Sequence, residues 1–149
     1  MNKLRISLIE GPQLVGFQVV DLSVVNDRNA TTIFHGKVDL SELLDWFKEN
    51  EHEIKSSNLP IDRVDGRSLA RKIRHFYENV DVEDDEIVDL MFDYRSHHCL
   101  RFAARGTLIP EIYIGKSEDN YEVSMSGTDS EWEYFIDIED FYNHLKKLG

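Results

Sequence analysis

The spacing of apolar residues changes period in blocks along this 149-residue chain, and that constrains its fold more than any other feature. Leu4, Ile6 and Leu8 alternate with Arg5 and Ser7 as far as the breaker Gly11-Pro12. Residues 14–25 form a β-rich run that is apolar on both faces, which suits a central strand. Residues 26–29 are a turn signal, and 31–38 read as the returning strand of a three-strand meander. At Asp39 the period becomes helical. Asp39 and Glu42 have capping-box spacing, and Leu40, Leu43, Leu44, Phe47 and Ile54 place an amphipathic helix over 40–55. After a loop over 56–67, Leu69, Ile73, Phe76, Tyr77 and Val80 form a second helical stripe. Ile87, Leu90, Met91 and Tyr94 begin a third behind a run of acids, ending between Ser96 and Arg105. Alternation then returns. Ile112 and Ile114 lead into a hairpin with a four-residue connection over 117–120, and residues 131–136 add a strand. Asp137 caps a last helix with Ile138, Phe141, Tyr142, Leu145 and Leu148 inward and Gly149 at its C′ position.

The order βββ-ααα-βββ-α has no strand–helix–strand alternation, so it predicts the α+β class. The expected architecture is one domain: an antiparallel sheet of about six strands with about four helices packed on it. A chain of this length is one domain by the usual prior, with core enough to need no staples. Cys99, the sole cysteine, allows no intrachain disulfide. No apolar run approaches the ~20 residues that span a bilayer, and the first residues lack a signal-peptide core. The chain therefore reads as soluble and cytoplasmic.

Charge is the second constraint. Against 17 Lys and Arg stand 29 Asp and Glu, a formal charge of −12. Residues 1–38 carry four bases and three acids, so the remainder bears the whole excess. It lies in two blocks: eight acids and no base over 78–93, and ten acids with only Lys116 over 111–140. Clustered charge of one sign costs stability and speeds encounter with a partner of the other sign. Such a chain repels phosphate backbones, which disfavours general nucleic-acid binding. Its local exception is the basic run over 63–74, where no aromatic platform is interleaved for stacking on bases.

Catalytic templates do not appear. There is no G-x-S-x-G, H-E-x-x-H, GxxxxGK[ST] or G-x-G-x-x-G. His97-His98-Cys99 is not itself a dyad, because neighbours on a helix point in different directions. His98 falls on the apolar stripe and reads as a core histidine, and Cys99 as a small core hydrophobe. Asp89, Asp93 and His97 sit at i, i+4 and i+8. That spacing is either ordinary helix pairing or the start of a metal or general-base site.

In size, acidity, single-domain α+β pattern and absence of catalytic motifs, the chain resembles the small immunity proteins of bacterial toxin systems. These include the contact-dependent inhibition and related polymorphic-toxin families, and phage-encoded inhibitors of bacterial defence nucleases share the profile. The resemblance implies a bacterial inhibitor that occludes a basic toxin domain and has no chemistry or cofactor of its own. The residues independently point to a binding protein, with a surface for a basic protein expected on Glu118, Asp119, Glu122, Glu131, Trp132, Glu133 and Tyr134. Trp132 and Tyr134 would be exposed anchors, and the 78–93 block would extend the surface or not. Two rivals remain open: a small enzyme or metal protein using Asp89, Asp93 and His97, and an accessory domain that dimerises through its sheet.

Overall fold

A computed structural model describes residues 1–9, 17–61, 67–80, 83 and 85–148. The Gly11-Pro12 breaker, residues 14–16, Arg63, Gly66 and Gly149 lie outside the described residues. The first three strands, β1 (Lys3–Leu8), β2 (Phe17–Val25) and β3 (Ala30–Asp39), form the meander in the order β1-β2-β3. β2 is central, and Val20, Leu22 and Val24 are buried along it. Asn26 closes the β2–β3 turn as its side-chain Oδ1 accepts from the Arg28 and Asn29 N–H groups, both at 3.0 Å.

The helical block contains four helices, where the periodicity implied three. α1 (Leu40–Glu49) and α2 (Glu51–Ser56) replace the single helix expected over 40–55. Asn50 separates them, its Nδ2 donating to the Trp46 carbonyl at 2.8 Å. The Asn50 backbone N–H donates to the same carbonyl at 3.1 Å, so side chain and main chain together cap the end of α1. Asp39 caps α1 by accepting from the Glu42 N–H (3.2 Å), but Glu42 does not reciprocate, since its carboxylate accepts from the Arg105 N–H (2.8 Å). α3 (Leu69–Asn79) and α4 (Asp85–His98) follow, and the chain leaves α4 through a 3-10 turn, Leu100–Phe102. α4 buries Met91, Tyr94 and His98, a stripe at i, i+3 and i+7. Leu90, expected on that stripe, lies outside it.

β4 (Tyr113–Ser117), β5 (Asn120–Ser126) and β6 (Glu131–Ile136) form a second antiparallel sheet, and α5 (Ile138–Leu148) ends the described chain. The β4–β5 connection is shorter than expected. Ser117 pairs with Asn120, leaving only Glu118 and Asp119 at the tip, with Glu118 at φ 55°. The expected single six-stranded sheet is two three-stranded sheets that meet at one parallel bridge, Asn2 to Ile136. Pairing cannot extend past it because β6 gives way to α5, where Asp137 Oδ1 accepts from the Asp140 N–H at 3.0 Å. The α+β class stands, and the element order is βββ-αααα-βββ-α.

The second sheet is covered on both sides. Ile114, Val123 and Ile136 face the main core with β1, β2, α1 and α5, around Phe47 and Phe141, whose rings meet edge to face at 5.0 Å. The opposite face packs under α3 and α4 with Leu69, Ala70, Ile73, Met91, Tyr94, Cys99 and Tyr113. Because side chains alternate along a strand, this second face carries Gly115, Glu122, Ser124 and Glu133.

Candidate partner-binding surface

The seven residues predicted to meet a partner separate into three places. Glu118 and Asp119 stand exposed at the β4–β5 tip. Glu131 and Glu133 share the α3-covered face, while Trp132 and Tyr134 point to the other and are half-buried against the main core. Period two forbids them a common patch, so the two aromatics are packing residues and not exposed anchors.

Glu122 corrects the expectation most strongly. Its side chain is 0% exposed, and Oε2 accepts the Leu69 N–H at 3.1 Å. Beside it Ser124 Oγ accepts from the Ala70 N–H and Ser68 Oγ from the Arg71 N–H, each at 3.1 Å. These three acceptors satisfy N–H groups that a helix start leaves unpaired, and the carboxylate suits the positive end of the helix dipole. Glu122 therefore anchors α3 to the sheet and is unavailable to a partner. Burial and the nearby Glu122 raise the carboxyl of Glu133 above its ordinary range, while Lys72 opposes the shift.

Elsewhere in the 111–140 block four acids are ion-paired. Glu111 pairs with Arg95 (2.7 Å) and Arg101 (3.3 Å), Glu131 with Arg71 (3.8 Å), Glu139 with Lys55 (3.0 Å), and Asp140 with Arg5. On α3, besides Arg71, Arg74 is occupied: it holds Glu78 at 2.9 Å and the Gly127 carbonyl at 2.8 Å.

α4 is different. Its buried stripe is narrow, so Asp85, Glu86, Asp89, Leu90, Phe92 and Asp93 all face outward. Leu90 is 49% exposed and Phe92 56%, and Phe92 meets the exposed Phe102 edge to face at 6.2 Å. Among the described residues no base pairs with Asp85, Glu86 or Asp89. The face thus combines uncompensated negative charge with exposed aromatic and aliphatic surface.

A pocket of about 160 Å³ adjoins this face, between α2, the segment after it, and α4. Glu53, Ser57, Asp93, Tyr94, His97 and His98 contribute to its walls. His97 is oriented through Asn50. Since the Asn50 amide donates to Trp46, its Oδ1 must accept, and it takes the His97 Nδ1–H at 2.6 Å. The His97 Nε2 is left toward Asp93, 3.7 Å away. His98, 0% exposed and stacked on Tyr94 at 3.9 Å, donates its Nδ1–H to the Ile114 carbonyl at 2.9 Å. Among the described residues its Nε2 has no partner, and burial lowers its pKa to about 4, so the ring is neutral. The Ser57 hydroxyl donates to Glu53 and holds that carboxyl below its usual range.

Of the predicted trio, Asp93 and His97 come together and Asp89 does not. Eight helical residues separate Asp89 from His97, roughly 12 Å along the axis. Among the described residues, no three His, Cys, Asp or Glu side chains are grouped to hold a metal ion. Cys99 is buried, and burial pushes its thiol up to about 11, the opposite of an activated nucleophile. Asn50, Glu53 and Ser57 escaped sequence reasoning because they lie some forty residues from His97 and form no motif with it. Among the described residues no helix is long and apolar enough to cross a membrane. No protein-family model, curated protein or solved structure matches this chain.

Proposed function

We propose that this protein is a binding protein without catalysis of its own, and that it neutralises a basic protein partner through the exposed face of α4, in the manner of an immunity protein that blocks a toxin nuclease. One observation carries the reading: Asp85, Glu86 and Asp89 have no compensating base among the described residues and surround exposed Leu90 and Phe92. Interfaces combine apolar anchors with a charged rim in this way. The surface moves from β5 and β6 to the helix whose Asp85, Glu86 and Asp89 have no ion pair among the described residues.

The test is titration of the purified protein with the product of the adjacent reading frame, at low and at physiological salt. Nanomolar binding is expected, with an on-rate that drops by ~10-fold or more as salt rises. The triple reversal Asp85→Lys, Glu86→Lys, Asp89→Lys should abolish the steering and leave the fold intact, since all three side chains are exposed. Equal binding by the reversed protein would refute the assignment. A stable dimer in light scattering would favour the accessory-domain reading.

A further inference from the structure

We propose that the pocket between α2 and α4 receives an arginine side chain of the basic partner, whose guanidinium enters among Glu53, Asp93, His97 and His98. This rests on the reading of α4 as the partner surface and names the contact that would give it specificity.

Hydrogen-bonding polarity comes first. His98 has committed Nδ1–H to the Ile114 carbonyl, and its neutral ring keeps Nε2 as an acceptor, while His97 Nδ1–H is committed to Asn50 Oδ1. The Ser57 hydroxyl hydrogen is spent on Glu53. Carboxylates of Glu53 and Asp93 add acceptors and negative charge. Two carboxylates in its walls favour a cation rich in donors over an anion. Guanidinium offers five N–H groups in a planar fork, against three on an ammonium.

His98 supplies an independent sign that something belongs there. It is wholly buried, it lines the pocket, and its Nε2 is unpartnered among the described residues. A buried polar atom left without a partner costs ~1–3 kcal/mol, and a donor entering the pocket would recover it. Size then limits the occupant. About 160 Å³ takes a side-chain head group and falls short of the ~300–1,000 Å³ of small-molecule and cofactor sites. Leu90 and Pro60 also line the pocket and offer apolar surface to the methylene stem of an arginine. A metal ion is the rival occupant, but no three ligands among the described residues converge for one.

The experiment needs no partner protein, so its outcome is separable from that of the α4 reversal. Isotope-labelled protein is titrated with N-ethylguanidinium, and separately with its neutral counterpart N-ethylurea and with zinc chloride, while the His97 and His98 imidazole nitrogens are followed by NMR. Saturable shifts of both rings with ethylguanidinium alone are the expected result. Asp93→Asn should weaken that binding by about tenfold or more, the range for a hydrogen bond to a charged group. The Asp93 side chain is 77% exposed, so the variant keeps its fold. No saturable shift, an equal response to ethylurea, shifts confined to the outer acids of α4, or saturation by zinc in place of ethylguanidinium would each overturn the proposal.

Discussion

Replacing Gly115 by alanine tests whether the His98–Tyr94 stack beneath the pocket is as tightly fitted as it looks. In a strand interior the change should help by ~0.5–1 kcal/mol, because glycine loses the most backbone freedom on folding. Here a Cβ would lie 2.7 Å from His98 Nδ1 and 3.1 Å from the Tyr94 hydroxyl. Neither ring can retreat: His98 is wholly buried, Tyr94 is 4% exposed, and their planes lie 10° apart at 3.9 Å. Overpacking costs ~1–3 kcal/mol. Pushing the imidazole aside also breaks its bond to the Ile114 carbonyl, another ~1–3 kcal/mol when a buried carbonyl is stranded. Net of the backbone gain, the expected loss is about 1–5 kcal/mol. For a chain of this length that is a melting midpoint lower by roughly 2–20 °C. Urea and thermal unfolding measure it. Gly127→Ala is the control, since its Cβ would meet only the Ser130 carbonyl at 3.4 Å, and it should stay within ~0.5 kcal/mol of wild type. If Gly115→Ala were as stable as the wild type and kept the His98 bond, the fit described for this layer would be wrong.

Three further outcomes follow from the same structure. His98 has a folded pKa near 4 against an ordinary 6.5, so the folded state binds fewer protons than the unfolded state between those values. Its contribution is present above pH 6.5 and is lost as pH falls through the window, on the order of 3 kcal/mol in all; denaturation at stepped pH, with imidazole NMR showing a neutral ring well below pH 6.5, checks it. Glu133 has the opposite sign. Its raised pKa means stability declines as pH rises above the ordinary glutamate value of 4.5, and Glu133→Gln should flatten that limb of the pH–stability curve. Phe92→Ser should leave the unfolding midpoint nearly unchanged, because the ring is 56% exposed, yet weaken partner binding by more than ~1 kcal/mol; Phe141→Ala, in the main core, should cost ~3–5 kcal/mol of stability.

Elements whose local signals agree with their tertiary setting were legible in the chain. The β1–β3 meander, β6 and the capped α5 all announce themselves by period and by turn or cap residues, and they lie where expected. Departures occur where a side chain acts on backbone it does not adjoin in any regular pattern. A continuous apolar stripe is divided at Asn50, whose side chain and N–H both cap α1 on the Trp46 carbonyl, which no periodicity reveals. Glu122 reads as an outward acid on an alternating strand, and only the docking of α3 turns it into a buried cap for the Leu69 N–H. Leu90 shows the converse: it fits the predicted stripe, but α4 meets its neighbours along the narrower line of Met91, Tyr94 and His98.

The number of acids in a segment is likewise a poor guide to the field at its surface, because compensation arrives from distant segments. The 111–140 block holds the larger number of acids, ten against eight, and reads as the stronger candidate. Arg5, Lys55, Arg71, Arg95 and Arg101, drawn from β1 and from the helical region, neutralise four of its ten acids, while Glu122 is sealed under α3. Asp137 is likewise occupied, capping α5. Among the described residues no base reaches Asp85, Glu86 or Asp89, and their helical neighbours three and four residues away are themselves acidic or apolar. Their mutual repulsion is a standing cost to the folded protein. Such a cost persists without structural benefit unless an opposite charge relieves it, and Leu90 and Phe92 beside those acids supply the apolar contact that would make the relief specific. The Asp93–His97 pocket at the same edge extends this logic from a field to a single side chain.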